Sequence, residues 1–225
     1  MHDKNSKNHP TIKGAKIIDG KLNFPISWLN QQGYCEYSIF LEYVEGISTT
    51  PTPEMMKGQE VHQELEDKFQ EEAVPATFAE MMELSQKEEI LSRELWVVSP
   101  EYGIRGFIDE IWLTPDEFII IDDKPGKIAY YSTINQVFGY CLAFKDIIEK
   151  NSENTINKRK IRAALRERGT DNIFWSSEFD QTAEKKIKTL INRMQDLLNG
   201  SKAFLPTDNP RKCAKCRFSS YCEFK

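Results

Sequence analysis

Apolar positions recur every three to four residues in some stretches of this chain and form short continuous runs in others, and these two patterns predict its helices and strands. Spacings of three and four residues predict helices over about 52–72, 132–150 and 180–198. Runs of β-branched and aromatic residues predict strands over about 94–99, 106–113, 118–124, 159–167 and 173–175. The turn residues Thr114-Pro-Asp join the second and third strands into a hairpin. The order α-β-β-β-α-β-β-α predicts an α/β fold with a mixed sheet and helices on both faces.

The predicted helices have suitable residues at their ends. Thr52 offers a capping hydroxyl to the first helix, and Pro75 prevents its continuation much beyond Glu72. Asn199-Gly200 forms a C-cap for the third helix. The residues that we expect on the buried face of the first helix are Met55, Gly58, His62, Leu65 and Phe69. Those expected on the buried face of the second helix are Ile134, Val137, Cys141, Phe144 and Ile148.

Three charged residues stand among the apolar positions of the hairpin: Asp109, Asp122 and Lys124. Side chains two apart in a strand share a face, so Asp122 and Lys124 project together and Asp123 points the other way. The apolar residues predicted to share these faces are Phe107 and Ile111 beside Asp109, and Phe118 and Ile120 beside Asp122. Charges in such a position are costly unless they are paired or bind an ion. Two carboxylates for a hard divalent cation, with an ammonium beside them, indicate a phosphodiester-cutting site.

Length and composition predict the domain organisation and the cellular location of this protein. A chain of 225 residues is long enough for one well-filled core, and we expect a single domain over 11–225 behind a flexible polar tail over 1–10. No apolar stretch reaches the length of a membrane span, and the polar start has no apolar signal segment, so we expect a cytoplasmic protein.

The net charge of −5 does not indicate nucleic acid binding, but the run 158–168 carries six basic residues and one acid. Two readings stay open for this run. It could contact phosphates, or it could be a strand edge protected from aggregation by its charge.

Four of the five cysteines form a set. Cys213, Cys216 and Cys222 lie within ten residues, and Cys35 could supply a fourth thiol from the other end of the fold. A chain without an export signal is not expected to form disulfides, so close thiols favour a metal or a cluster. Zinc and iron–sulfur clusters both accept four cysteines, and spacing does not separate them. Ordinary reduced cysteine is the alternative, and Cys141 is expected to be core.

His62, Gln136 and Tyr140 are less specific signals. His2 and His9 fall in the predicted tail, so His62 is the histidine expected in the folded part. A lone histidine on an apolar helix face is usually a core residue, but here its nitrogen could complete an acid-rich cation site and favour manganese. Gln136 and Tyr140 are four apart on a helix and share a face, where they could hydrogen-bond a phosphate or orient the lysine.

In their order along the chain, these residues resemble the motifs of the RecB-type branch of the PD-(D/E)XK nuclease superfamily. The matching motifs are Gly58-x-x-x-His62, Gly106-x-x-Asp109, Asp122-x-Lys124 and Gln136-x-x-x-Tyr140. One N-terminal and three C-terminal cysteines resemble the iron–sulfur nucleases of that branch. The compact size is similar to that of the CRISPR-associated RecB-like exonucleases. Two features depart from the commonest pattern: Asp122 stands where many relatives have Glu, and Pro125 directly follows the lysine.

The resemblance implies a restriction-endonuclease-like core, a mixed central sheet flanked by helices, in which an iron–sulfur module joins the N- and C-terminal segments. It implies a DNA exonuclease acting 5′ to 3′ on single strands or frayed ends, and processing of DNA for the CRISPR integrase. The residues implied to bind Mg²⁺ or Mn²⁺ are His62, Asp109, Asp122 and Asp123, the last through its backbone carbonyl. Lys124, Gln136 and Tyr140 act with Asp109 and Asp122 in catalysis, and a [4Fe–4S] cluster is held by Cys35, Cys213, Cys216 and Cys222.

Three alternatives accompany this hypothesis. One is a repair or viral recombination nuclease without a CRISPR role. Another is a DNA-binding scaffold with the same fold that does not cut. The third is a zinc protein in which Asp122 and Lys124 form a surface salt bridge.

Overall fold

The structure is a computed structural model that describes residues 6–151 and 159–225. Its strands are β1 (Ser6–Asn8), β2 (Lys16–Ile18), β3 (Lys21–Pro25), β4 (Ile90–Ser99), β5 (Ile104–Leu113), β6 (Glu117–Lys124), β7 (Lys160–Glu167) and β8 (Ile173–Glu178). Its helices are α1 (Trp28–Tyr34), α2 (Glu36–Ile39), α3 (Pro53–Glu72), α4 (Phe78–Leu84), α5 (Tyr131–Asn151), α6 (Gln181–Leu198) and α7 (Pro210–Ala214), and a π-helical segment (Phe40–Val44) follows α2. His2, Lys158 and the side chain of Met55 lie outside the described residues.

The eight described strands form one sheet in the order β1-β2-β3-β5-β6-β7-β8, with β4 paired to β5. The pairs β3–β5 and β6–β7 are parallel and the others are antiparallel, so the predicted mixed sheet is confirmed. The predicted hairpin is β5–β6, joined at Thr114, whose hydroxyl accepts a hydrogen bond from the Glu117 N–H. Within the described chain, no helix is both long enough and apolar enough to cross a membrane.

The two edges of β5 are occupied differently. β4 follows one edge along the whole strand. On the other edge, β3 pairs only with the first two residues, Ile104 and Arg105, and β6 pairs only with the last four, Glu110 to Leu113. β6 continues beyond its last pair with β5 as far as Lys124. The two strands therefore diverge at Asp109 and Asp122, and we call this opening the β5–β6 fork.

Helix α5 covers the sheet and positions the polar residues near the fork. It packs against β4, β5, β6 and β7, and the ring of Phe144 lies edge-on to Phe118 at 5.2 Å between centroids. Four of the five residues predicted for its buried face are buried, and Ile134 is half-buried. α1 and α6 pack against α5, so helices flank the sheet as predicted.

The N-terminal strands were not predicted. β2 and β3 are joined by Asp19-Gly20, both with positive φ, which is the geometry of a type I′ hairpin turn. β1 pairs with β2, so the backbone of Ser6–Asn8, which lies within the predicted flexible tail over 1–10, is part of the sheet. His9 is also placed, because its Nδ1 accepts hydrogen bonds from the backbone N–H groups of Thr11 and Ile12.

Helix α3 has the predicted bounds but a different burial. Gly58, His62, Leu65 and Phe69 are only half-buried, because α3 lies at the fork rather than across the middle of the sheet. At Gly58 a side chain would collide with the guanidinium of Arg168, which donates to the backbone carbonyl of Asp123 at 3.1 Å. Glycine at this position therefore lets Arg168 link α3 to the end of β6.

The basic strand β7 is internal, since it pairs with both β6 and β8, so of the two open readings the strand edge is excluded. Its Arg166 is buried and donates to Glu110 at 2.7 Å and to Asp123 at 2.8 Å. Arg93 of β4 also donates to Glu110, at 2.5 Å. Two guanidinium groups thus neutralise two carboxylates in a buried cluster, which we call the arginine–carboxylate cluster.

We expect Arg166→Met to lower the free energy of unfolding by about 3–5 kcal/mol, because it leaves buried carboxylates without their main partner. Urea denaturation measures this loss. Arg162→Met on the same strand is the matched control, since Arg162 pairs with Glu117 in a partly solvated position, and it should cost less than about 1 kcal/mol. Equal small losses in the two variants would contradict the role assigned to the arginine–carboxylate cluster.

Candidate active site

Three potential metal ligands from three different elements meet at the β5–β6 fork. They are His62 of α3, Glu94 of β4 and Asp109 of β5. His62 Nε2 lies 3.1 Å from Glu94 Oε1 and 3.6 Å from Asp109 Oδ1. One ligand atom from each residue lies within 4.8 Å of the other two, which is close enough for all three to bind one ion. Carboxylate oxygens with one imidazole nitrogen suit a divalent cation such as Mg²⁺ or Mn²⁺.

Glu94 reaches this site through an unusual backbone. Its φ is +49°, a left-handed conformation that costs energy in a non-glycine residue and is often found at functional sites. The alternation of faces along β5 is also irregular near Asp109. Gly106 faces Tyr140 of α5, and Ile111, which pairs with Ile120, faces α5 as well, although residues five apart in a regular strand point to opposite faces. Phe107, which follows Gly106, therefore does not share a face with Ile111, contrary to the prediction.

Asp122 and Lys124 project together at the end of β6, as predicted. Lys124 Nζ lies 2.7 Å from Asp122 Oδ2 and donates to Gln136 Oε1 at 3.0 Å. Asp122 is 1% exposed. On the other side of the fork, Asp109 Oδ2 accepts a hydrogen bond of 2.8 Å from the Asp123 backbone N–H. The side chain of Asp109 therefore bridges the gap where ladder pairing between β5 and β6 has ended.

Burial and nearby negative charge make two carboxylates of this site, those of Glu94 and Asp122, hard to ionise. Burial raises the pKa of Glu94 to about 7, and the nearby charges of Asp109 and Glu66 add to the effect. Burial also raises the pKa of Asp122, with Asp109 acting in the same direction and Lys124 opposing it. A divalent cation would supply the positive charge that these acids lack. The donor set and its electrostatics therefore fit such an ion.

The polar pair predicted on α5 faces the same site. Gln136 binds Lys124, as described, and Tyr140 is buried beside Gly106. Burial and the charges of Asp122 and Asp109 raise the pKa of the Tyr140 phenol well above its ordinary value. Tyr140 is therefore a neutral hydrogen-bonding group at neutral pH. It also lines an open cavity together with His62, Glu94 and Asp109.

Asp123 lies differently from the other acids. Both of its carboxylate oxygens accept hydrogen bonds from Arg166, at 2.8 and 3.1 Å, within the arginine–carboxylate cluster. Its side chain therefore belongs to that cluster and is not among the acids at the fork. Its backbone carbonyl accepts from Arg168, and a contact of this carbonyl with metal stays a prediction.

The four cysteines of the predicted set lie around a second cavity. The thiols that line it are those of Cys35, Cys213, Cys216 and Cys222. Tyr34 and Lys212 connect the two chain segments: the Tyr34 hydroxyl donates to the Lys212 carbonyl at 2.6 Å, and Lys212 Nζ donates to the Tyr34 carbonyl at 3.0 Å. Four thiols from both ends of the chain therefore converge, as the sequence predicted. The donor set fits either a cluster or a zinc ion. Cys141 is buried in the core, also as predicted.

Glu94 is the site residue that sequence reasoning missed. The strand around it was predicted, but its acid was not assigned a role. The signal was present, since Arg93-Glu94 interrupts an otherwise apolar strand in the same way that Asp109 interrupts the next one. Its approach to His62 required the backbone geometry of β4, which the residue pattern does not reveal.

Comparison with known protein families identifies a match over most of the chain. The chain is similar to the crystal structure of SSO0001, with 17% identity and a TM-score of 0.46, over 89% of this chain and 85% of that one. None of the curated proteins matches it significantly. Residues 77–223, well over half of the chain, match the family described as the PD-(D/E)XK nuclease superfamily, whose members use divalent metals. The chain therefore belongs to the PD-(D/E)XK nuclease superfamily.

Proposed function

We propose that this protein is a divalent-metal-dependent DNA exonuclease that degrades single strands or frayed ends in the 5′ to 3′ direction. The observation that carries the proposal is the group His62, Glu94 and Asp109, whose ligand atoms lie within 4.8 Å of one another at the β5–β6 fork. Asp122 and Lys124 lie beside it, where the lysine ammonium can meet a phosphate held by the metal. Membership of a nuclease superfamily supports phosphodiester hydrolysis.

Each side chain has a distinct role in this proposal. His62, Glu94, Asp109 and Asp122 hold the cation, and the Asp123 carbonyl is a further candidate ligand. When bound, Mg²⁺ or Mn²⁺ lowers the pKa of a water molecule and stabilises charge on the scissile phosphate.

Lys124 orients the attacking water or neutralises charge developing on the phosphate. Gln136 holds the ammonium in place through its 3.0 Å hydrogen bond. The neutral Tyr140 phenol donates a hydrogen bond towards the phosphate.

We also propose that Cys35, Cys213, Cys216 and Cys222 hold a [4Fe–4S] cluster. The support is the convergence of all four thiols on one cavity and their likeness to the cysteines of the iron–sulfur nucleases. A bound cluster would join the N-terminal helices to the C-terminal segment. The chemistry of the thiols is equally suited to zinc, so the cluster needs its own test. We further propose that the protein acts in the cytoplasm and supplies trimmed DNA to the CRISPR integrase. This part of the proposal rests on the motif resemblance.

We expect Asp109→Ala and Lys124→Ala each to reduce cleavage of end-labelled single-stranded DNA by more than about 100-fold, because each removes a group that contacts the reacting phosphate or its metal. Gel electrophoresis of the products, with Mn²⁺ present, measures the loss. Asp116→Ala, at an exposed acid in the turn at the opposite end of the β5–β6 hairpin from the fork, is the control and should cut like the unmodified protein. Full cleavage by either active-site variant would rule out this assignment.

The raised pKa values predict a pH-dependent stability without metal. Folding raises the pKa of Glu94 to about 7 and that of Asp122 in the same direction, so the folded protein binds more protons than the unfolded chain from about pH 4 to pH 7. The melting temperature in EDTA should therefore fall as the pH rises through this range. Mn²⁺ should restore it above about pH 7, where the acids are ionised, but not near pH 5.

Glu94→Gln is the matching variant for this measurement. It removes one of the two groups, so it should weaken both the pH dependence and the gain from Mn²⁺. A metal-free protein that melts at the same temperature near pH 5 and near pH 8 would contradict the electrostatic account.

The cysteine proposal predicts a brown, anaerobically purified protein with broad visible absorbance. Cys213→Ala should remove most of this absorbance and most of the bound iron, because it takes away one of the four ligands. Cys141→Ala is the matched control, since its thiol is buried in the core away from the other four, and it should keep the colour. A colourless protein that contains zinc would replace the cluster by a zinc site.

A further inference from the structure

Two aromatic rings lie at the mouth of the cavity that holds the metal ligands. Trp96 of β4 and Phe107 of β5 are directly opposite each other in the strand ladder, and their ring centroids are 4.7 Å apart with the planes tilted by 54°. Both line the same cavity as His62, Glu94 and Asp109. The chemistry assigned above to the fork does not use either ring.

Phe107 offers an apolar face to this cavity. Its side chain remains 50% exposed, whereas the next residue on the strand, Ile108, is completely buried. Covering apolar surface stabilises a complex by about 25 cal/mol per Å², so a half-exposed ring in the lining of the cavity can contribute to binding a ligand that has an apolar face. The ring is held on a paired strand and against Trp96, so it is in place before any ligand binds.

The distance between the rings and the metal ligands fits one nucleotide. Phe107 is two residues from Asp109, and Trp96 is two residues from Glu94, which is about 7 Å along a strand. A phosphate held at the ligands would place the base of an adjoining nucleotide beside the rings. Arg105 lines the same cavity and adds positive charge to it.

We propose that Trp96 and Phe107 form a stacking platform for one unpaired nucleobase next to the scissile phosphate. This inference rests on the proposed function and specifies its substrate. In a duplex, both faces of a base are already covered by neighbouring bases, so the platform binds a base that is free to leave the stack. Stacking on aromatic side chains is tolerant of sequence, because every base has a π-face. The platform therefore selects single-stranded over paired DNA and selects little among the four bases.

The test measures binding rather than cleavage. In the full-length Lys124→Ala background with Mg²⁺, fluorescence anisotropy gives the affinity for a short fluorescein-labelled oligothymidylate. A series of the same oligonucleotides carries one abasic residue at successive positions. We expect one position at which loss of the base weakens binding by about five- to 150-fold. Phe107→Ala should weaken binding of the intact oligonucleotide by a similar factor.

The decisive comparison combines the two changes. In the Phe107→Ala protein, the abasic residue at the sensitive position should cause almost no further loss, because the ring and the base form a single interaction. Losses that multiply, or an unchanged affinity in Phe107→Ala, would overturn the platform. An equal loss for blunt-ended duplex DNA would also overturn it, since paired bases are not available for stacking.

The control is Leu91→Ala, which shortens another exposed apolar side chain on β4, the strand of Trp96, and should leave DNA affinity unchanged. Thermal melting of every variant shows that the fold is retained. Sedimentation of the free protein tests whether the rings contact a second protein chain instead. A changed oligomeric state in Phe107→Ala, with unchanged DNA affinity, would assign the rings to a protein contact and overturn the proposal.

Absence of cleavage by the unmodified protein would refute the proposed nuclease activity. This outcome is distinct from the affinity measurements, which test the stacking platform.

Discussion

Negative charge held at the β5–β6 fork is the constraint on which the site depends. Glu94 and Asp122 each lie near Asp109, and the raised pKa values of Glu94 and Asp122 record what that arrangement costs. Lys124 offsets part of this charge through its contact with Asp122, and His62 can offset more only when it is protonated. A divalent cation relieves the repulsion more completely than a proton, because it pairs with several carboxylates at once.

The same strands carry a second set of acids, whose charge is neutralised within the chain. Glu110 follows Asp109 and Asp123 follows Asp122. Both Glu110 and Asp123 are paired with buried arginines, Arg93 and Arg166. This arrangement holds β4, β5, β6 and β7 together beneath the fork. It also separates acids that have an internal partner from acids that need an external one. The contrast supports a metal site more strongly than the presence of carboxylates alone, since both sets are acidic and only one has arginine partners.

The strands and helices of the central part were predictable because their residue patterns are regular. β5 and β6 are runs rich in β-branched and aromatic residues, and α5 and α6 repeat apolar residues every three to four positions. The projection of Asp122 with Lys124 follows from strand geometry alone. The hairpin at Asp19-Gly20 had a readable turn signal, but its strands are too short to show a period. The burial of β7 could not be read from its sequence, because Arg162 and Arg166 look like surface residues until their partners are known.

The sequence by itself determined which residues are candidates for the chemistry: the acids and lysine of the hairpin, the histidine of α3, the polar pair of α5 and the four cysteines. These are local properties, set by residue type and by the repeat of each element. Only the tertiary structure decided that Glu94 joins His62 and Asp109, that Asp123 turns to Arg166, and that Phe107 opens onto the cavity. The reason is physical. Each of these positions depends on where strands diverge and how a backbone bends, and such features arise from packing between segments far apart in the chain.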